Sequence, residues 1–336
     1  MKTLARTDSR EAAPGGLRAF LRAQTAGCAL QNFLKYLCHI CFGMTPATFE
    51  YTAPSTLSDA LKTMDRLGDD AKVLAGGQSL IPLMKLRFTS FAHVVDISRV
   101  DGLKYIQSGK GALRIGAMTT AAELERSVEI ARDFGAIADA ASQIADPLIR
   151  NMGPIGGNVC HADPGNDLPA VMISLGAAFV LKSMSGTRNV SAADFFVDTF
   201  TTAIGKGELL TEIVIPYGGS RSGSAYVKHK RRAGDFSVAG VAVSMSLDDD
   251  GRCKVAGIGL TSVGPKAIKA VKAEAMIAGK RVDEEVIDSA SEAAMLESDP
   301  ADDFYGTRAF KRRVLRGVTA DAIRLAAARA AGRVQR

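Results

Sequence analysis

Two glycine-rich bends govern how this chain can fold. Ala75-Gly76-Gly77-Gln78-Ser79-Leu80 follows directly on the strand-like Lys72-Val73-Leu74-Ala75. Gly153-Pro154-Ile155-Gly156-Gly157-Asn158 leads on to Asp163-Pro164-Gly165-Asn166-Asp167-Leu168-Pro169. Adjacent glycines admit φ > 0, and their missing side chains let backbone approach a ligand. Successive N–H groups in such a bend form a concave nest for anions, to which Ser79 and Asn158 can add side-chain donors. A tight turn alone accounts for one glycine pair. Two such bends, each with a polar follower, point to a dinucleotide diphosphate held by main-chain amides.

The common nucleotide signatures are absent. A P-loop needs Gly-x4-Gly-Lys-Ser/Thr, and neither Gly205-Lys206-Gly207 nor Gly279-Lys280-Arg281 fits. Gly257-Ile258-Gly259 falls in a hairpin strand, with the third glycine of a Rossmann fingerprint misplaced.

Around the bends the pattern alternates short helices and strands. Thr56 to Leu67 reads as a helix with Ser55 or Thr56 as N-cap, apolar Leu57, Leu61, Met64 and Leu67, and Gly68 as stop. Lys72–Ala75, His93–Ile97, Leu113–Ala117, Ala177–Lys182 and Glu212–Ile215 read as strands. Thr120 opens a helix, and Ala136 to Ile144 is helical up to Asp146-Pro147. Pro216, Gly218 and Gly219 mark a boundary near 218–223. Beyond it, Val238–Leu247 and Cys253–Leu260 flank Asp248-Asp249-Asp250-Gly251 as a β-hairpin. That acidic turn lacks the ligand spacing of a calcium loop. From Pro265 the chain is helix-rich. The pattern is α+β, followed by a smaller α+β domain.

Charge and cysteine narrow the function classes. The formal charge is +6 over 336 residues, but residues 1–43 hold six Lys/Arg against two acids. The remainder is nearly neutral, the chain has no Trp, and aromatics make up 6%, a poor profile for nucleic-acid binding. The most apolar stretch, Ala170–Leu181, is broken by Ser174 and Gly176 and falls short of the ~20 residues a membrane helix needs. Five cysteines, an odd number at low density, argue against a disulfide framework and for a reducing, cytoplasmic setting. Cys38 and Cys41 have a metal-like spacing, but a closed site needs four suitably placed ligands and only Cys28 and His39 are nearby, so no metal site is expected. Met44-Thr45-Pro46 reads as a fresh beginning. Residues 1–43 are then either an over-extended reading frame or an Arg-rich targeting or docking arm.

Ala75 to Leu80, Ile155 to Asn158 with Asp167-Leu168-Pro169, and Tyr226-Val227-Lys228-His229-Lys230-Arg231-Arg232-Ala233-Gly234-Asp235-Phe236 together resemble a known family. It is the FAD-binding medium subunit of molybdenum hydroxylases, which include carbon monoxide dehydrogenase and xanthine dehydrogenase. The resemblance covers roughly 44–330. It implies a two-lobed FAD-binding domain of the vanillyl-alcohol-oxidase type over 44–218. A small α+β C-terminal domain would follow over 223–330, with a three-stranded antiparallel sheet plus helices.

The resemblance also implies noncovalent FAD and a set of roles. Val73, Leu74, Ala75, Gly76, Gly77, Gln78, Ser79 and Leu80 would hold the pyrophosphate. Pro154, Ile155, Gly156, Gly157 and Asn158 would close the other side. Asp167 would bind ribityl or ribose hydroxyls, and Ile144 would line the adenine or ring side. Leu210 and Lys228 would sit near the isoalloxazine. The family usually has Thr where Pro154 stands. Proline removes a hydroxyl and an N–H, and if that N–H meets phosphate the loss is about 1.5–3 kcal/mol. FAD binding is therefore expected to be weakened, not abolished.

By the same resemblance, the chain is an electron-transfer subunit with no catalytic acid–base pair of its own. Electrons would come from a small [2Fe–2S] subunit, substrate would be oxidised on a large molybdopterin subunit, and NAD, a quinone or another acceptor would take the electrons. The assembly would be a dimer of heterotrimers. Two other readings stay open on the residues. One is a stand-alone flavin oxidase of a small alcohol or hydroxy acid, with His161 as base. The other is a non-catalytic scaffold whose bends hold ADP or coenzyme A.

Overall fold

The computed structural model describes residues 45–333. The extension 1–43, Met44 and the Cys38–Cys41 pair lie outside the described residues. By their contacts, residues 45–48 and Ile81–Ser90 form one small unit, and Phe49–Leu80 with the chain from Phe91 onward forms the other. In the small unit, Arg87 Nε donates to Thr45 O at 2.7 Å.

The larger unit opens with β1 (Glu50–Thr52), α1 (Leu57–Leu67) and β2 (Ala71–Leu74). Thr56 caps α1 by accepting from Asp59 N at 3.1 Å, a bond worth about 1 kcal/mol. Helix α2 (Leu80–Lys85), whose residues from Ile81 belong to the small unit, follows the first glycine bend in sequence, and in the larger unit β3 (His93–Asp96) completes a parallel sheet in the order β1-β3-β2. Ala60, Leu61 and Met64 of α1 pack on Val95 and Ile97 in the core of this first lobe.

The second lobe begins with the hairpin β4 (Ile106–Gly109) and β5 (Ala112–Gly116). Helices α3 (Ala121–Arg126), α4 (Val128–Asp133), α5 (Gly135–Gln143), α6 (Pro147–Met152), α7 (Ile155–His161) and α8 (Asp167–Ser174) come next. Then come β6 (Ala178–Ser183), β7 (Gly186–Ser191), α9 (Ala192–Phe195), the short pair β8 (Phe196–Asp198) and β9 (Thr201–Thr202), and β10 (Leu209–Pro216). The sheet is antiparallel in the order β4-β5-β10-β6-β7. Its inward residues Leu113, Ile115, Phe179, Leu181 and Ile213 pack on Ala136, Ile137 and Ala140 of α5 and on Leu168 and Met172 of α8.

The C-terminal domain holds β11 (Ser222–His229), β12 (Ala239–Leu247), β13 (Cys253–Thr261), β14 (Ile268–Lys269), α10 (Val271–Ile277), α11 (Glu284–Glu297) and α12 (Arg308–Ala330). Three long strands form the expected antiparallel sheet. A fourth, the two-residue β14, adds to its edge through Gly259 and Leu260. So short a strand, Ile268-Lys269, leaves no alternation to read in the sequence. Strand alternation splits this sheet between two cores. Ala225, Val241 and Val243 face the C-terminal helices, while Tyr226 and Ala242 join the core of the second lobe. Where β13 passes helix α8, that face is bare backbone. A methyl group on Gly257 would lie 2.0 Å from Ser174 O, and one on Gly259 would lie 2.0 Å from Ala170 O. These glycines serve the seating of α8 on β13.

Candidate cofactor site

Strand β2 delivers the first bend. Ile97 N donates to Leu74 O at 2.9 Å and ends the pairing there. Gly77 takes φ 72°, the left-handed turn that glycine makes without strain. Gln78 Nε2 then folds back onto Gly76 O at 2.8 Å. Among the described residues, the N–H groups of Gly76, Gly77, Gln78 and Ser79 donate to no protein acceptor. Gln78 and Ser79 are exposed and the glycines half-buried. Four unspent donors on one reversal of the chain are what an anion nest requires.

The second bend departs from expectation. Residues from Ile155 are helical, because α7 starts directly after Pro154. Ile155 N donates to Thr119 O and Gly156 N to Ala117 O, both at 2.8 Å, and Asn158 N donates to Pro154 O at 3.1 Å. The N–H row read from the sequence is therefore largely spent on the protein itself. Glycine is required at Gly156 for another reason, since a methyl group there would stand 2.6 Å from Ala117 O.

The two bends meet. A methyl group on Gly76 would lie 2.1 Å from Met152 O, 2.6 Å from Pro154 Cδ and 2.9 Å from Gly153 Cα. One on Gly157 would lie 3.4 Å from Pro154 Cγ and 3.5 Å from Ala75 Cβ. The buried Pro154 ring thus wedges between the bends, over the place its own N–H would have occupied. Asn158 lies one residue further along. Its Oδ1 is buried with no hydrogen-bond partner, while its backbone O accepts from Asn166 Nδ2 at 2.9 Å. A buried amide oxygen without a donor costs about 1–3 kcal/mol. Together with four idle N–H groups, it fits a ligand bearing both phosphate and hydroxyl or N–H groups, as FAD does.

A second cluster gathers Asp167 and Lys228. Lys228 Nζ lies 2.9 Å from Asp167 Oδ2 and 3.1 Å from Oδ1, and it also donates to Gln143 O at 3.1 Å. The Lys228 side chain is 1% exposed and that of Asp167 7%. Tyr226 Oη donates to Asp167 Oδ1 at 2.5 Å. Burial pushes the Asp167 carboxyl up, and the Lys228 ammonium opposes it. Sequence reasoning passed over Tyr226, although strand alternation puts 226 and 228 on one face. It also missed Asp139, which links the two domains. Asp139 accepts from Tyr226 N at 3.1 Å and from Arg329 Nη1 at 2.6 Å.

The remaining site expectations divide. Ile144 is half-buried against the second-lobe core, and its carbonyl accepts from Arg150 Nη1 at 3.1 Å. Leu210 is 5% exposed and packs into that core, so most of its side chain is spent on the protein itself. The cause is its place in β10, opposite Leu181 at a bulge. Cys160 is half-buried, and burial pushes its thiol up to about 12, as suits an inert core thiol. His161 packs on Phe200 with ring centroids 5.0 Å apart, and burial holds its imidazole below the usual range.

Comparison with known proteins decides the class. Residues 47–218 match the family described as the FAD binding domain in molybdopterin dehydrogenase, and residues 224–326 match the CO dehydrogenase flavoprotein C-terminal domain. This chain belongs to the FAD-binding medium subunits of the molybdenum hydroxylases. It is 39% identical over 268 residues to the carbon monoxide dehydrogenase medium chain of Hydrogenophaga pseudoflava, covering 80% of this chain and 93% of that one. It is likewise 39% identical to the medium chain of Afipia carboxidovorans, covering 85% and 99%. Its fold superposes on the H. pseudoflava carbon monoxide dehydrogenase that lacks the Mo-pyranopterin moiety, with TM-score 0.83, 40% identity and coverage of 85% and 99%. Quinoline 2-oxidoreductase of Pseudomonas putida 86 follows at TM-score 0.79, 32% identity and coverage of 85% and 99%. The chain is thus a flavoprotein component of oxidoreductases, built from the expected FAD-binding domain and C-terminal domain. No helix among the described residues is long and apolar enough to cross a membrane.

Proposed function

We propose that this subunit binds FAD noncovalently between its two bends and relays electrons from the [2Fe–2S] clusters of a small partner subunit to NAD, a quinone or another acceptor. A large molybdopterin subunit would oxidise the substrate, the three chains would form a heterotrimer that doubles, and the assembly would be cytoplasmic. The domains would run from 44 to 218 and from 223 to 330, with 1–43 as an extension.

The observation that carries the reading is the nest at Gly76–Ser79 facing the wedge at Pro154. When bound, FAD supplies the redox chemistry, and the protein supplies binding, orientation and electrostatics. The amides of Gly76, Gly77, Gln78 and Ser79 would neutralise the diphosphate without a cation. Val73 and Leu74 fix the strand that aims the bend, and Ala75 and Leu80 flank it. Asn158 Oδ1 would accept from a ligand hydroxyl or N–H. Asp167 would orient ribityl or ribose hydroxyls, and Lys228, held by Asp167 and Gln143 O, would lend positive charge to a reduced, anionic ring. Ile144 would line one side by packing. The Pro154 ring occupies the space where a phosphate-directed N–H would otherwise point, so Gly157 and Asn158 would supply what closure the second bend gives.

Reconstitution of the purified chain with FAD tests the reading. Binding should quench flavin fluorescence and give a yellow protein that a one-electron donor reduces. A colourless preparation that takes up ADP but not FAD would overturn it.

A further inference from the structure

Strand β11 is an edge of the C-terminal sheet, with β12 on one side and, among the described residues, no strand on the other. Backbone groups on an open edge need partners, and here side chains supply them. Tyr226 N donates to Asp139 Oδ2 at 3.1 Å. Ser224 O accepts from Arg329 Nη1 at 2.7 Å. The same guanidinium grips Asp139 with two nitrogens, Nη1 to Oδ2 at 2.6 Å and Nη2 to Oδ1 at 3.2 Å. Ser224 Oγ in turn accepts from Ala136 N at 3.1 Å. Helices α5 and α12 thus meet on β11 through one carboxylate and one guanidinium, whose side chains are 16% and 14% exposed.

Bare positions make room for this meeting. A methyl group on Gly135, the first residue of α5, would lie 2.8 Å from both Arg329 Nη1 and Ser224 O. One on Gly223 of β11 would collide with Ala326 O and Ala330 N of α12. Stability alone is a weak reason for the pair. Arg329 Nε is buried without a hydrogen-bond partner, and taking two charges out of water offsets much of their attraction. The best-attested use of such a buried pair is to fix register.

The strand held in this way is the one that carries Lys228. Side chains 226 and 228 share one face of β11, and both reach Asp167 on α8. Lys228 Nζ also donates to Gln143 O at 3.1 Å. Asp139 and Gln143 stand four residues apart on α5, about 6 Å along its axis. Tyr226 and Lys228 stand two residues apart on β11, about 6.6 Å. The two repeats match, so α5 holds β11 twice in step, by the backbone at 226 and by the ammonium at 228. Resting on the flavin-binding reading above, we propose that Asp139 and Arg329 are positioning residues that pin β11 to α5 and so set where the Lys228 ammonium stands toward the flavin. They act through the backbone of β11, at Tyr226 N and Ser224 O.

Asp139→Ala removes the pin, whereas Asp139→Asn gives up the charge but keeps an oxygen for Tyr226 N. In the FAD-free chain, acetylation of Lys228 by acetic anhydride is followed by mass spectrometry. Lys311 is the internal standard, being 4% exposed and held by Ala301 O and Asp303. Relative to Lys311, Lys228 should react about tenfold faster in Asp139→Ala, within the usual range for coupling between linked sites, and return to the unaltered ratio in Asp139→Asn. In the FAD-loaded chain, the two-electron potential of the flavin should fall by about 30 mV in Asp139→Ala, a tenfold loss of preference for the reduced form, and recover in Asp139→Asn. A pair that served stability alone would lower Tm in both variants and move neither the ratio nor the potential. Arg329→Met serves if Asp139→Ala does not fold, with the same expected sense. An unchanged acetylation ratio or an unchanged potential in the folded variant overturns the proposal. Failure of the unaltered chain to bind FAD strikes the flavin reading instead, and acetylation of the cofactor-free chain still judges the pin.

Discussion

Gly76→Ala offers the sharpest test of how the two bends are built. The new Cβ would arrive 2.1 Å from Met152 O, although Cβ atoms essentially never come nearer than 3.0 Å to another heavy atom. Something must therefore shift by about 1 Å, and the opposing atoms are backbone and a proline ring, not a flexible side chain. Overpacking of this kind costs about 1–3 kcal/mol of stability. The same shift opens the gap between the first bend and the Pro154 wedge. One amide–phosphate bond lost is worth about 1.5–3 kcal/mol, which at about 1.4 kcal/mol per decade weakens FAD roughly 10- to 150-fold. Gly157→Ala is the internal control. Its methyl group would meet Pro154 and Ala75 at 3.4–3.6 Å, close to ordinary contact, and Kd should stay within about threefold. Fluorescence-quench titration gives Kd for each variant, and thermal melting gives stability. Equal Kd and equal Tm for Gly76→Ala and the unaltered chain would refute the close apposition of the bends.

Three further outcomes follow from the same contacts. Asp167→Asn should leave the Lys228 ammonium buried without its counter-charge, lowering stability by about 3–5 kcal/mol in chemical denaturation. Glu208 is held below the usual carboxylate range, chiefly by the fork from Arg188 at 2.6 and 2.7 Å. Its stabilisation is therefore present above the unfolded pKa, near 4.5, and is lost as pH falls below it. Accordingly, Glu208→Gln should cost about 0.5–1 kcal/mol at pH 7, with the gap to the unaltered chain closing in melts at pH 3. Finally, removing FAD by dialysis should lower the unfolding free energy by about 2.7 kcal/mol relative to the protein at 100-fold excess over Kd, seen as a fall in Tm.

Much of the fold was legible because local signals agreed with tertiary demands. Thr56 and Gly68 bracket α1, and the turn at Asp248–Gly251 joins β12 to β13 as read. The first bend was legible too, since Gly77 needs its positive φ within a few residues of a strand end. What escaped was set by partners distant in sequence. Gly156 and Gly157 resemble turn residues, yet they sit in a helix because Gly156 must pass Ala117. The bulge in β10 beside the buried Leu210 likewise leaves no mark in composition. Tyr226 carries no signature of its own in the sequence, and only its meeting with Asp167 ties it to the Lys228 cluster.

The pair of glycines on β13 has a consequence for engineering. Helix α8 lies against bare strand backbone, in a groove no wider than the missing side chains at 257 and 259. Such a joint cannot be retuned at 257 or 259, because any side chain added there meets the helix backbone. A chimera joining this first domain to a foreign C-terminal domain would have to import those two bare positions in register, or the helix carrying Asp167 would ride up and part from Lys228.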